Sequence, residues 1–385
     1  MFGKHVFHST LNTVWRRALL LCWMGTVLAA TPEPALSPLP ETLSATGLFT
    51  PGKPQQVLAG IYSFSPQYPL WSDGAIKQRW IYLPPNRVID ASNPDAWQFP
   101  NGTKLWKTFG HQQRVETRFI ERLSDGSWRF AAYVWNAEQT EALLAPANGV
   151  TVNAEGAPGS RYPIPARDDC LACHEGAAVP VLGFGALQLS PDRDGNAPHA
   201  EPFRVDQLDL TALVRLGLLR NLPETFLQKP PRIAASSAVE RSALGYLHSN
   251  CGHCHNHNGP LALLDLDLSQ SVSDSKPVSQ RELFLRSQFR LRGHTDAIKR
   301  IEPGQPESSV LALRMGTRDA ISQMPPLGTR VIDDEGLAMV IRWIQHDLQS
   351  RAENHDDETF TANPSARQPA VAGAANLSRH RAEQR

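Results

Sequence analysis

The rhythm of apolar and polar positions changes along this chain, and the change divides it. Arg114 to Leu123 alternates polar and apolar side chains in part, Asp125-Gly126 supplies a turn, and Ser127 to Trp135 resumes with aromatic and β-branched residues. That pattern predicts a hairpin. Lys77 to Leu83 and Thr103 to Phe109 read as further strands. Residues 46–150 are therefore expected to form a β-rich, sandwich-like or half-barrel unit of at least five strands. Beyond about residue 155 the spacing becomes helical. Asp209 can cap a short helix bearing Leu210, Leu213 and Val214 on one side. Ser237 to Glu240 has the form of a capping box, followed by Val239, Ala243, Tyr246 and Leu247 at helical spacing. Asp333 can open a last helix with Leu337, Val340, Ile341, Ile344 and Leu348 on one face. The predicted class is α+β, a β-rich N-terminal unit followed by a mainly α-helical region.

The two ends read differently. Arg16 and Arg17 precede an apolar run from Ala18 to Ala30, and Val27-Leu28-Ala29 offers a small-residue cleavage pattern, so residues 1–30 read as an export signal. The run is short for a bilayer span; retention as an anchor is the alternative. Leu21 argues against a lipoprotein reading of Cys22. Residues 31–45 read as a Pro-rich linker, and 351–385 as a polar tail without periodicity. No later segment could span a membrane. The 38 basic and 38 acidic residues cancel, which removes any case for a nucleic-acid surface. An exported chain is expected in the periplasm.

Export makes the cysteines informative. Outside the signal there are four, Cys170, Cys173, Cys251 and Cys254, in two Cys-x-x-Cys pairs, each followed at once by a histidine, His174 and His255. This is the pattern of covalent c-type haem attachment: two thiols add to the vinyl groups of one haem, and the adjacent histidine is placed under the iron. Two matches that use every cysteine of the mature chain predict two haem c groups. A four-cysteine zinc site and a pair of disulfides are the alternatives, and neither accounts for the histidines. Gln323-Met324-Pro325-Pro326 precedes the last helix, where prolines stiffen a loop that can present the Met324 sulfur. The order helix, motif, Met loop, helix makes 236–350 a single-haem unit with Met324 as sixth ligand, Met315 being the next candidate. The first motif lies in 155–235, a segment without methionine. His199, His248, an open sixth position and, less readily, His253 or His257 remain for it. Trp71, Trp80, Trp97, Trp106, Trp128 and Trp135 read as packing, and Asp73, Glu116 and Glu121 form no recognisable acid–base pair.

The second half resembles class I cytochrome c domains, through Tyr246-Leu247-His248-Ser249-Asn250, Glu302 to Ser308 and Met324-Pro325-Pro326. From about 50 to 349 the chain is similar to a group of bacterial dihaem cytochromes with a β-rich N-terminal domain, through Leu70 to Ala75, Phe99 to Lys104, Glu116-Thr117-Arg118 and Tyr133 to Asn136. The resemblance implies haem attachment at Cys170, Cys173, Cys251 and Cys254, iron ligation by His174, His255 and Met324, and electron transfer with an unidentified redox partner protein. It implies no sixth ligand for the first haem. The competing functions are a dihaem peroxidase-like enzyme with an open iron and a haem-bearing electron acceptor of a periplasmic dehydrogenase. The motifs start only 81 residues apart, which leaves little room for the two full cytochrome domains a peroxidase would have.

Overall fold

The computed structural model describes residues 38–273, 283–294 and 298–350. The signal at 1–30, the first part of the linker and the tail at 351–385 lie outside the described residues. The chain divides after Leu39, and the sheet, the helices and both motifs lie in the second unit, from Pro40 onward.

A short hairpin, β1 (Phe49–Thr50) with β2 (Lys53–Val57), leads into the main sheet. That sheet is a six-stranded antiparallel meander of β3 (Ile61–Ser63), β4 (Ile76–Tyr82), β6 (Lys104–Gly110), β7 (Arg114–Arg122), β8 (Trp128–Trp135) and β9 (Ala142–Leu144). The predicted turn joins β7 to β8, with Gly126 at φ 87° and Ser127 N–H donating to Asp125 Oδ1 at 2.9 Å. Between β4 and β6, β5 (Ile89–Asp90) leaves the sheet to pair in parallel with β12 (Leu219–Arg220). After β9, β10 (Val150–Asn153) and β11 (Arg161–Ile164) form another two-stranded pair.

Residues directly opposite on neighbouring strands share a face, so the register sorts the side chains. One face carries Trp106, Phe119, Tyr133 and Trp135. The segment from Pro40 to Phe49 covers it: Trp106 Nε1 donates to Thr46 Oγ1 at 2.8 Å, Tyr133 OH donates to the Pro40 carbonyl at 2.9 Å, and Phe49 stacks on Trp135. Residues 40–45 are thus packed, with Leu43 fully buried, and do not belong to a flexible linker. The other face carries Ile81, Leu105, Phe109, Ile120 and Phe130, and the chain after residue 165 lies against it, with the Phe130 ring 5.1 Å from that of His174. The two-stranded β10–β11 pair packs on one part of this face, with Tyr162 and Ile164 against Phe109 and Ala132, and coil and α1 cover the rest, so the sandwich-like expectation holds only for that small second sheet. Alternation tells which side of a strand is buried but not what buries it.

The helices follow the apolar spacing. α1 (Arg167–His174) carries the first motif; α2 (Leu210–Arg215) is capped by Asp209, which accepts from Ala212 N–H at 2.6 Å; α3 (Thr225–Gln228) is a single turn. α4 (Ala238–Asn250) starts at Ser237, whose hydroxyl accepts from Glu240 N–H, while the Glu240 carboxylate reaches back to Ser236 N–H rather than to Ser237. α5 (Val310–Met315) precedes the Met loop, and α6 (Asp334–Arg342), capped by Asp333, continues into a π-helical turn over Trp343–Leu348. Ala243, Tyr246, Leu247, Val340, Ile344 and Leu348 form the core where α4 meets α6. The fold is α+β. Among the described residues no helix is long and apolar enough to cross a membrane.

Tyr68 joins the connection between β3 and β4 to α4. Tyr68 lies flat on the helix at Gly245, where an added Cβ would sit 2.1 Å from the ring, and its hydroxyl donates to Asp194. Gly245→Ala is expected to destabilise the protein by about 1–3 kcal/mol, the usual cost of overpacking a filled core, measured as a lowered denaturant midpoint at unchanged slope.

Candidate functional site

The first motif occupies the last turn of α1. Asp168 and Asp169 lie in its first turn, where negative charge suits the helix N-terminus, and Asp169 Oδ2 accepts from Ala166 N–H at 2.9 Å. His174 ends the helix, and its Nδ1 lies 2.6 Å from the Pro180 carbonyl. A carbonyl oxygen only accepts, so Nδ1 carries the proton and Nε2 keeps its lone pair. Burial lowers the pKa of His174 to about 4 despite that hydrogen bond, so the ring is neutral. A neutral imidazole with Nδ1–H anchored on a carbonyl is the state in which histidine ligates metals.

The second motif follows α4 directly. Burial pushes the Cys251 thiol up to about 12 and lowers His255 to about 4. The His255 Nδ1 is buried with no hydrogen-bond partner among the described residues.

The two motifs meet. Ligand atoms of Cys173, Cys254 and His253 all lie within 4.8 Å of one another, and Cys254 Sγ is 3.7 Å from the Ala172 carbonyl. Gly176 makes the approach possible: a Cβ there would stand 2.8 Å from Pro260 Cδ and 3.0 Å from the His253 carbonyl. The hydrogen bond from Cys254, together with His253, holds the Cys173 thiol well below its usual range, and the Cys254 thiol is correspondingly raised. Cys170 and Cys251 stand outside this cluster, so the four cysteines do not converge as a zinc set would require. All four are free thiols. Cys173, His253 and His174 line one side of a cavity of about 360 Å³, within the size range of ligand sites. Its other walls include the inner sheet face, the loop from Ala177 to Gln188, the end of α4 at His248 and Ser249, and Ser269 to Ser271.

The β-rich half also reaches the second motif. Trp71 N–H donates to Asn250 Oδ1 at 2.8 Å, just before Cys251. Asp73, held at φ 49°, accepts from the N–H groups of Arg330 and Val331 at 2.8 and 3.1 Å. Arg314 holds the other end of the Met loop, donating to Ser322 O at 2.9 Å and accepting from Met324 N–H through its own carbonyl at 3.0 Å. Met324, Met315, Trp71 and Cys251 border one small cavity of about 20 Å³. The loop that carries Met324 is thereby placed beside the second motif.

The remaining histidines separate by their partners. His248 lines the large cavity, but its Nδ1 accepts from Gln270 N–H at 2.9 Å, so its Nε2 carries the proton and offers no lone pair. His199 is tied to Asp333 at 2.7 Å and to Glu335 at 3.3 Å. His257 is exposed beside Asp267. His253 is half-buried against the first motif, not exposed as its place between two cysteines suggests. The sequence reading also missed three cations on the cavity's sheet wall, Arg79, Lys107 and Arg118. Their signal was present: each falls in phase with the apolar positions of its strand. Glu116, read there as unassigned, is fully buried and accepts from Arg118 and from Tyr162 OH.

Two predictions follow from the support of the Met loop. Asp73→Ala removes the acceptor for two backbone amides and should accelerate hydrogen exchange at Arg330 and Val331 roughly tenfold or more, read by mass spectrometry. Burial alone would raise the Asp333 carboxyl, but hydrogen bonds from His199, Gly336 N–H and Tyr246 outweigh it and hold the carboxyl below the usual range. A depressed folded pKa contributes stability above the unfolded value, near pH 4, and that contribution is lost as pH falls through the folded one. Asp333→Asn should therefore flatten the fall of Tm below about pH 4. Comparison with family models, curated proteins and solved structures finds no match for this chain.

Proposed function

We propose that this chain is an exported, periplasmic c-type cytochrome that carries two covalent haems and passes electrons to and from a partner protein. One haem would be held by Cys170, Cys173 and His174, the other by Cys251, Cys254 and His255 with Met324 as sixth ligand. The observation that carries the reading is the meeting of the two motifs, with Cys173 and Cys254 side by side. Two attachment sites brought together across 81 residues of chain suit a relay between two redox centres better than two independent sites. When bound, each haem supplies a one-electron ferric/ferrous couple, whose potential the surrounding protein tunes.

The donor chemistry of these residues suits such a group. His174 keeps an Nε2 lone pair while Nδ1 is anchored on Pro180. His255 is buried and neutral. Met324 borders the same small cavity as Cys251. At about 20 Å³ that cavity is far below a cofactor site, so a macrocycle there requires the loop at 317–332 to stand further from α4. Export rests on the N-terminal pattern alone.

A second reading, a ligand-binding or peroxidase-like first haem, draws on one observation. Of the two histidines expected nearest, His248 presents a protonated Nε2 and His199 is engaged by carboxylates, which favours an open sixth position.

Protein matured in a host with cytochrome c assembly machinery tests both. Intact mass should show two haems, and Cys251→Ala with Cys254→Ala should leave one; retention of two rejects the motif assignment. Met324→Ala should lower one midpoint potential by at least about 59 mV, a tenfold change in a one-electron equilibrium, and leave the other in place. Low-temperature electron paramagnetic resonance of the oxidised protein separates the readings. Two low-spin ferric signals support the carrier; one high-spin signal supports the open iron.

A further inference from the structure

Three cations stand in one row across the inner sheet face. The register sets Arg79 of β4 opposite Lys107 of β6, and Lys107 opposite Arg118 of β7. Lys77 follows the same face two residues before Arg79. Like charges directly opposite one another destabilise a sheet, and a buried charge is costly unless paired. Here the pairing is incomplete. Arg79 is 5% exposed; its Nη1 meets Glu201 at 2.6 Å, but its Nη2 is buried with no hydrogen-bond partner among the described residues. Arg118 directs Nε and Nη2 to one oxygen of Glu116. The Lys107 ammonium lies 4.8 Å from the Phe109 ring centre and meets no carboxylate among the described residues. Burial, then Arg79, Lys77 and Arg118, hold its pKa well below the usual lysine value, a further sign of surplus positive charge.

All three cations line the cavity that holds Cys173 and His174. Its remaining walls include Trp97, Phe99, Leu105, Ile120, Val181 and Phe184. An apolar chamber with one under-compensated cationic wall complements a flat apolar ligand that bears carboxylates. Arginine offers a planar fork and lysine a point charge to such oxygens.

We propose that Arg79, Lys107 and Arg118 form a carboxylate-binding row that holds the propionates of the haem attached at Cys170 and Cys173. This assignment rests on the dihaem reading. It predicts that removal of one cation favours the ferric state of that haem alone.

The test compares wild type with Lys107→Met, Arg79→Gln and Lys107→Arg, each matured with haem and counted by peptide mass before redox titration. Met324→Ala identifies the potential of the second haem. In Lys107→Met the other potential should fall by about 59 mV, a tenfold change in its ferric/ferrous equilibrium; Arg79→Gln should move it the same way, and Lys107→Arg should restore it. Inorganic phosphate or acetate should leave the wild-type spectrum and potentials unchanged. Two retained haems with both potentials unmoved in Lys107→Met and Arg79→Gln overturn the row. A saturable phosphate or acetate response, lost in Lys107→Met, overturns it in favour of a site for a free anion. A wild-type chain without haem at Cys170 and Cys173 overturns the dihaem reading itself, and the row with it.

Discussion

The fit of Gly176 against the segment after the second motif sets the arrangement of everything around it. The backbone leaving α1 can lie on His253, Gly259 and Pro260 only because residue 176 has no side chain. Once that contact forms, Cys173 and Cys254 are neighbours, and the ends of α1 and α4 are fixed relative to each other. Other parts of the chain then have defined tasks. The inner sheet face must stand behind α1, which it does through Phe130 and His174. The connection between β3 and β4 must reach α4, which it does through Tyr68 on Gly245 and Trp71 on Asn250. The β-rich half therefore serves as a wall of one site and as the support of the other.

The charges on that wall strengthen the point. A sheet face turned toward the interior is usually apolar, and alternation selects for that. Here Ile81, Leu105 and Ile120 keep the rule while Arg79, Lys107 and Arg118, on the same strands and the same face, break it. Glu201 and Glu116 offset part of the cost. Burial relieves what is left by lowering the Lys107 pKa, so the row keeps a surplus of cationic donors facing the chamber and is the least fold-like feature of the wall.

Much of this was legible in the sequence because it is local. The strands from Lys77, Thr103, Arg114 and Ser127 form within a residue or two of their predicted bounds, and Asp209, Ser237 and Asp333 cap the helices they were expected to cap. Local spacing also picked out both motifs and the Met loop. What could not be read is long-range. No periodicity says that one sheet face meets coil from Pro40 to Phe49 and the other meets β10–β11 and α1. Nothing within Leu70 to Ala75 says that Asp73 caps two amides more than 250 residues away. The cations were legible in principle, as charges in phase with an apolar stripe, but only the register shows that three of them stand in line.

The histidines show how a hydrogen bond can carry functional information that residue identity lacks. His174 and His248 border the same cavity, and burial keeps both neutral. They differ in what Nδ1 meets. At His174 it meets a carbonyl and must donate; at His248 it meets an amide N–H and must accept. A neutral imidazole has one proton, so the first arrangement leaves Nε2 free to bind a metal and the second occupies it. Which ring nitrogen keeps its lone pair is thus decided by the backbone at Pro180 and Gln270, positions with no chemistry of their own. His255 stands between these cases, since its buried Nδ1 has no partner among the described residues. Neither a carbonyl nor an amide among the described residues fixes its tautomer, so the backbone that decides the state of His174 and His248 leaves that of His255 undecided.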